Sequence, residues 1–305
     1  MIEISSDKRR ASPPLLSPFP LLPPVQLLLF FAATACAGDP QIDADIPGGN
    51  IVVERIEGND VWVHQDQRDT PRFWFWWHLR VQGAAGRTLT FHFTQGNVFG
   101  TRGPAVSRDG GKTWDWLGVE ACDGDAFTCE FADGDTRVAF AIPYTPANLD
   151  QWLRTHDSQY LVRESLLQTD EQRNVDLLRV GCVDGSAQRR VLITARHHAC
   201  ESLASYVVEG LMEGWLALDD DGAWLRENVE LVVVPIMDVD GVEDGDQGKL
   251  RAPHDHWLDY GDGSLYEEVR ALKQRFQDNP QPVDVALDIH CPSIRDEKLY
   301  FALGP

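Results

Sequence analysis

Basic residues are scarce in this chain. Its 305 residues include 27 Lys and Arg against 48 Asp and Glu, which gives a formal net charge of -21. Binding to a nucleic-acid backbone depends on clustered Lys and Arg, and the sequence contains no basic stripe. We therefore expect no nucleic-acid partner. The apolar content of 43% is enough for two ordinary domains and excludes a disordered chain.

An apolar run long enough to span a bilayer is missing from the amino-terminal region. The run Leu27–Ala35 is too short, and it follows the basic residues 8–10 and a proline-rich stretch. Residues 1–36 therefore resemble an export signal, which ends either in cleavage before Cys36 or in lipid modification of Cys36. This predicts a periplasmic, extracellular or lipid-anchored protein. A misassigned start codon would instead leave the protein in the cytoplasm.

The cysteines lack the C-x-x-C spacing of a thiolate zinc site, so zinc bound by cysteine is not expected. Cys122 and Cys129 flank the turn-like sequence Asp123-Gly124-Asp125 and could close a hairpin disulfide if the protein is exported.

Residues 41–145 contain short alternating or aromatic-rich runs separated by turn residues, which predicts an antiparallel β-sandwich domain. The predicted strands are Asn50–Ile56, Val61–His64, Phe73–Val81, Thr88–Phe93 and Val138–Ile142. Within this region the residues Ser107–Trp114 resemble an Asp-box, a hairpin turn held by side-chain hydrogen bonds. A glycosidase built on this motif would need several copies, and the sequence has one.

Trp74, Trp76 and Trp77 stand close together in this region. Such a group is typical of a core or a domain interface, and it could alternatively form a platform on which a glycan stacks.

From residue 146 to residue 305 strands alternate with amphipathic helices, which predicts an α/β domain with a mixed, mostly parallel sheet. The predicted strands are Leu177–Gly181, Arg190–Arg196, Val229–Met237, Val283–His290 and Leu299–Leu303, and the predicted helices are Ser202–Leu216 and Leu265–Gln277. Sites in such sheets gather at the carboxyl ends of the strands. The fold class expected for the chain is therefore a two-domain α+β protein.

His198 and Glu201 lie where a predicted strand turns into a predicted helix, and His290 ends another strand. Two His and one Glu form an open Zn²⁺ site that keeps a position for water. Asp288 is a candidate for supporting His290, and a strand-end carboxylate without that role is the alternative.

Three segments resemble the zinc carboxypeptidases of the carboxypeptidase A type. Thr194–Ser202 with Tyr206–Leu211 is similar to the first metal motif, Val233–Gly241 to the next conserved strand, and Leu287–His290 to the third motif. A β domain ahead of the α/β domain further resembles the cytosolic-carboxypeptidase-like branch. The resemblance implies zinc-dependent removal of residues from the carboxyl termini of peptides or proteins.

By the same resemblance Arg251 matches the arginine that polarises the scissile carbonyl and stabilises the oxyanion. Trp257 and Leu258 stand where the family places an Asn-Arg pair that grips the substrate's terminal carboxylate. Neither side chain can form that pairing, so recognition of a free carboxyl terminus loses its main anchor.

The family's general-base glutamate comes from segments after the third zinc ligand, and the sequence ends at Pro305. We therefore expect hydrolysis slowed by roughly 10²–10⁴-fold. A fragment of an active enzyme and a degenerate homologue that keeps only metal binding are both consistent with this pattern. A rival hypothesis is a non-catalytic zinc-binding protein, or a relic that binds a glycan or a protein through its tryptophan-rich sandwich.

Overall fold

A computed structural model describes residues 38–68, 70–71, 75–96, 98–294 and Lys298. The structure does not describe the expected signal segment 1–36, Trp74 or the predicted strand Leu299–Leu303. Within them, no helix combines the length and the apolar character that crossing a membrane requires.

The first part of the chain forms two five-stranded sheets. Their strands are β1 (Gln41–Asp43), β2 (Val52–Glu57), β3 (Asp60–His64), β4 (His78–Gln82), β5 (Thr88–Phe93), β6 (Ala105–Ser107), β7 (Asp115–Trp116), β8 (Cys122–Asp123), β9 (Ala126–Glu130) and β10 (Thr136–Ala139). The strand orders are β1-β4-β10-β6-β7 and β2-β3-β5-β9-β8. Both sheets contribute to one buried core, in which Phe91, Phe127 and Trp77 stack closely.

The prediction of purely antiparallel strands is wrong for one pair, because β3 and β5 run parallel. The chain between them passes through β4, which belongs to the other sheet, so β5 enters its sheet in the same direction as β3. The predicted strand Phe73–Val81 is also too long, since β4 begins only at His78.

Trp76 and Trp77 are buried and precede β4. The Trp76 indole donates to the carbonyl of Gly48 at 3.0 Å, and the Trp77 indole donates to the carbonyl of Val98 at 3.0 Å. Both side chains are therefore structural, as the core interpretation predicts.

The Asp-box closes the turn between β6 and β7. The Asp109 carboxylate accepts hydrogen bonds from the Ser107 hydroxyl, the backbone amide of Lys112 and the backbone amide and hydroxyl of Thr113. The neighbouring hairpin places Cys122 opposite Phe127, and Cys122 and Cys129 are both free thiols. The structure thus contains the predicted turn without the hairpin disulfide.

The second part of the chain forms a third five-stranded sheet with helices. Its strands are β11 (Leu161–Gln168), β12 (Asn174–Gly181), β13 (Arg189–Ala195), β14 (Val229–Val234) and β15 (Val285–Ile289), in the order β11-β12-β14-β13-β15. The helices are α1 (Pro146–Thr155), α2 (Leu203–Leu216), α3 (Asp220–Asn228), α4 (Val239–Asp244) and α5 (Glu267–Asp278). The fold is thus a mixed α/β structure with three sheets.

The central strand β14 is buried at every residue, as a strand covered on both faces requires. β13 pairs in parallel with β14 and with β15, whereas β12 is antiparallel to both β11 and β14. Among the described strands the sheet is therefore evenly mixed and not mostly parallel, whereas the predicted strand Leu299–Leu303 lies outside them. All three sheets belong to one compact unit that begins at Ala37, and a domain boundary between residues 145 and 146 stays a prediction.

Candidate metal centre

A tight turn joins β13 to α2 and carries two of the predicted ligands. It begins at Arg196, whose φ of 63 is a left-handed conformation that residues with side chains rarely adopt. The buried Arg196 guanidinium donates hydrogen bonds to the carbonyls of Ala199 and Tyr144. These bonds hold the turn in the shape that presents His198 and Glu201.

The third predicted ligand, His290, comes from the adjacent strand. β15 pairs in parallel with β13, and the last matched residues are Ala195 and Ile289. The carboxyl ends of the two strands therefore meet at one edge of the sheet, as the sequence predicts.

His198, Glu201 and His290 converge at this edge. Nδ1 of His198 lies 2.9 Å from Glu201 Oε1, and Nδ1 of His290 lies 2.8 Å from Glu201 Oε2 and 3.1 Å from Nδ1 of His198. The donor atoms all lie within 4.8 Å of one another. Among the residues that the structure describes, this is the group of His, Cys, Asp and Glu side chains that is arranged to hold a metal ion.

The other nitrogen of each histidine ring is held by a carboxylate. Nε2 of His198 is 2.9 Å from Asp255 Oδ1, and Nε2 of His290 is 2.7 Å from Asp288 Oδ2. An ionised carboxylate only accepts hydrogen bonds, so each ring donates through Nε2 and turns Nδ1 towards Glu201, where Nδ1 would bind a metal after losing its proton. Asp288 thus hydrogen-bonds to His290, and Asp255 hydrogen-bonds to His198 in the same way.

Asp288 also connects the centre to His197. Its Oδ1 accepts hydrogen bonds from Thr194 Oγ1 and His197 Nδ1, both at 2.9 Å, while His197 Nε2 is 2.9 Å from the Tyr260 hydroxyl. Burial lowers the pKa of His197 and outweighs the hydrogen bond to Asp288, which raises it. His197 thus supports the centre, although it neighbours His198 in sequence.

The charges of the centre are strongly coupled. Burial disfavours the imidazolium of His290, yet hydrogen bonds to Asp288 and Glu201 raise its pKa to about 10. Burial also disfavours the Glu201 carboxylate, but the bonds from His198 and His290 hold the pKa of Glu201 well below its usual range. Glu201 thus favours its ionised form, which is the form that binds a metal ion.

The donor set fits zinc. Two imidazole nitrogens and one carboxylate, each ring oriented by a further carboxylate, match the open zinc sites that leave a coordination position for water.

Arg251, the predicted carbonyl-polarising residue, pairs with two carboxylates. Its Nη2 is 2.7 Å from Asp238 Oδ2 and 3.4 Å from Asp246 Oδ2. Lys249 is instead the cation bonded to a predicted ligand, since its Nζ lies 3.0 Å from Glu201 Oε1.

Trp257 and Leu258 belong to a short 3-10 helix, His256–Leu258, and are 41% and 56% exposed. The Trp257 ring meets the His290 ring edge-on, with 6.1 Å between centroids. The structure thus places the Trp257 ring beside the centre, at a position where the resemblance implies a residue that binds the substrate's terminal carboxylate.

Sequence reasoning missed Asp255 and Lys249. Asp255 stands between His254, which bonds Asp259, and His256, which bonds the carbonyl of His197. The only sequence signal for Asp255 was a carboxylate in an Asp-His-Trp-Leu segment that the resemblance already aligned beside the substrate-gripping positions.

A model of the zinc carboxypeptidase family matches residues 149–260. The match includes His198, Glu201 and Asp255, and His290 lies beyond it. Cytosolic carboxypeptidase 6 of Caenorhabditis elegans is 30% identical over 181 residues, which cover 55% of this chain and 39% of that protein. The human protein of the same name is 27% identical over 181 residues, covering 55% of this chain and 36% of its own length.

Among solved structures, a metallo-carboxypeptidase from Pseudomonas aeruginosa in complex with (2-guanidinoethylmercapto)succinic acid has a TM-score of 0.71 at 25% identity. The similarity covers 84% of this chain and 70% of that one. The matched part thus extends over less than half of the two curated relatives and over more than two thirds of the bacterial structure.

Proposed function

Because this chain belongs to the zinc carboxypeptidases, we propose that it is a zinc-dependent hydrolase that removes residues from the carboxyl termini of peptides or proteins. The observation that carries the proposal is the convergence of His198, Glu201 and His290 within 4.8 Å, at the carboxyl ends of two parallel strands. When bound there, a zinc ion supplies Lewis-acid chemistry, which polarises a carbonyl and acidifies water.

The protein's own part is to orient the ligands. Asp255 and Asp288 hold the two imidazole rings with Nδ1 facing inward, and the backbone amide of Cys291 donates to Glu201 Oε2 at 3.1 Å. Glu201 is 2% exposed, so its charge acts in a site of low dielectric where electrostatic interactions are strong.

Turnover by residues 1–305 is proposed to be slow. The site carboxylates Glu201, Asp255 and Asp288 are all bonded to imidazole nitrogens, which occupies them in ligand binding and orientation. A separate carboxylate is needed to take a proton from water and pass it to the leaving amine. The described carboxylates that bond the two histidines are not free for this proton transfer, and its absence would cost roughly 10²–10⁴-fold.

Metal analysis of the purified chain tests the first part of the proposal. We expect one zinc ion per chain, lost in His290→Ala, with His156→Ala as a control that removes a histidine whose Nδ1 bonds the carbonyl of Trp152. One zinc ion per chain in His290→Ala would contradict the assignment of His290 as a zinc ligand.

Release of carboxyl-terminal amino acids by the zinc-loaded chain tests the second part. We expect little or no release, and fast release that a chelator abolishes would show that the chain contains a working base.

The rival hypothesis of a glycan-binding relic gains no support from Trp76 and Trp77. Trp76 and Trp77 are 3% and 0% exposed, so neither presents a ring face on which a sugar could stack. A zinc-binding protein without turnover remains the rival, and the release experiment separates it from the hydrolase. We also propose export through residues 1–36, which fractionation of expressing cells tests.

A further inference from the structure

We infer that Lys249 supplies the positive charge that stabilises the reacting carbonyl oxygen, the role that the sequence resemblance assigns to Arg251. The inference rests on the proposed zinc-dependent hydrolysis and names a further catalytic residue for it. Its basis is the different environments of the two cations: Lys249 contacts the ligand cluster, and Arg251 contacts a pair of aspartates beside α4.

The ammonium group of Lys249 lies at the centre itself. Its Nζ is 3.0 Å from Glu201 Oε1, and its side chain remains 28% exposed while that of Glu201 is 2% exposed. An ammonium group has three N–H donors, and one of them serves Glu201. Lys249 therefore reaches the ligand cluster from the solvent side, where a substrate would approach.

The backbone around Lys249 is fixed against the ligand turn from both sides. On one side, Gly248 has a φ of +69, and a Cβ added there would lie 2.4 Å from the backbone nitrogen of Ala199. The preceding residue, Gln247, accepts a hydrogen bond from the backbone amide of Cys200 at 3.1 Å. The loop can pass this close to the turn because residue 248 has no side chain.

On the other side, the backbone amide of Leu250 donates to Asp255 Oδ2 at 2.9 Å, and Asp255 Oδ1 accepts from His198 Nε2. Lys249 thus lies between Gly248, which packs against the turn that carries His198, and Leu250, which is hydrogen-bonded to Asp255. The position of its ammonium group follows from the same contacts that shape the centre.

Arg251 has a different environment. Its guanidinium is 16% exposed and pairs with Asp238, whose other oxygen accepts from the backbone amide of Gly241 in the first turn of α4. The pair neutralises a carboxylate that is 4% exposed. Moving the Arg251 guanidinium to a substrate would cost free energy, because the buried Asp238 carboxylate would lose its partner.

Hydrolysis of a peptide bond is faster when a cation lies beside the carbonyl oxygen. Negative charge develops on the carbonyl oxygen during hydrolysis, and a donor already in place stabilises that charge without reorganising. A lysine ammonium acts as a point charge without the bidentate geometry of a guanidinium. It can therefore keep one N–H on Glu201 and direct another N–H to a nearby carbonyl oxygen.

The test uses the zinc-loaded chain and a peptide phosphinate, a tetrahedral anion that mimics the charge developed in hydrolysis. Binding is measured by calorimetry and zinc by elemental analysis. We expect Lys249→Met to keep one zinc per chain and to bind the phosphinate about 10- to 100-fold more weakly. Lys249→Arg should keep most of the affinity. Lys112→Met, which removes an exposed positive charge from the Asp-box turn, is the matched control and should bind as the parent does.

Three results would overturn the inference. The first is unchanged phosphinate affinity in Lys249→Met. The second is loss of zinc from Lys249→Met, which would make Lys249 a support for Glu201. The third is a zinc-loaded parent that fails to bind the phosphinate. A parent that binds no zinc would instead refute the proposed function.

Discussion

Asp255 holds His198 by a hydrogen bond of 2.9 Å between Oδ1 and Nε2, and its second oxygen, Oδ2, receives the backbone amide of Leu250 at 2.9 Å. One carboxylate therefore fixes both a predicted metal ligand and the loop that carries Lys249. The proposed zinc binding and the proposed placement of Lys249 therefore depend on the same side chain.

We predict that Asp255→Ala weakens zinc binding by about 10- to 100-fold, because the His198 ring loses the partner that fixes its tautomer and orientation. Zinc affinity is measured by competition with a chromophoric chelator. Asp262→Ala, an exposed carboxylate in the following turn, removes the same charge and should leave the affinity unchanged. Equal affinities in the two variants would show that Asp255 does not support the ligand.

Gly248→Ala should lower both stability and zinc affinity. The added Cβ would lie 2.4 Å from the Ala199 nitrogen, a backbone atom, and alanine would also adopt a φ of +69. We expect a loss of about 1–3 kcal/mol in unfolding free energy, measured by urea denaturation. Gly263→Ala has a φ of +76 with nothing within 4 Å, so it isolates the backbone strain from the collision. Equal losses in the two variants would contradict a close approach at residue 248.

The sequence was sufficient to predict what depends on periodicity and on chemically specific residues. The apolar run at residues 229–234 predicted a buried strand, and His198, Glu201 and His290 were chosen because strand ends in an α/β sheet lie together. The end of the β14 strand was placed too late, at Met237, although Pro235 follows Val234 and removes a backbone donor.

The rest depended on tertiary contacts that the local sequence does not encode. Asp255 lies 57 residues from His198, in a loop that no periodic pattern positions, so its role became visible only when the loop was folded. Lys249 and Arg251 are two residues apart in one loop, and only the three-dimensional contacts separate their roles. The parallel pairing of β3 and β5 likewise follows from the passage of β4 through another sheet.

The ion pair of Asp238 and Arg251 predicts an acid-dependent stability. Burial would raise the pKa of Asp238, but the Arg251 charge outweighs it and lowers that pKa below its ordinary value. A carboxyl whose folded pKa is depressed stabilises the fold above its unfolded pKa of about 3.9, and this stabilisation is lost as the pH falls towards the folded pKa. We therefore expect the unfolding free energy to decrease less steeply below about pH 4 in Asp238→Asn than in the parent.

Removing the cation from this pair should be more harmful than removing the acid. Arg251→Met leaves Asp238 charged and buried, which costs about 3 kcal/mol in unfolding free energy near neutral pH. Urea denaturation at several pH values measures both effects. The same pH profile in Asp238→Asn and in the parent would contradict the assigned pair.

Leu258→Arg should restore recognition of a free carboxyl terminus. The resemblance places Leu258 where the family has an arginine, its side chain is 56% exposed, and the adjacent Trp257 ring lies 6.1 Å from that of His290. A guanidinium there could pair bidentately with a terminal carboxylate, so we expect the zinc-loaded variant to prefer a peptide acid over its carboxyl amide by about tenfold. Calorimetry with the two peptides measures the preference. Leu265→Arg adds the same charge at another exposed leucine and should show none of it, and an equal preference in both variants would mean that net charge alone attracts the carboxylate.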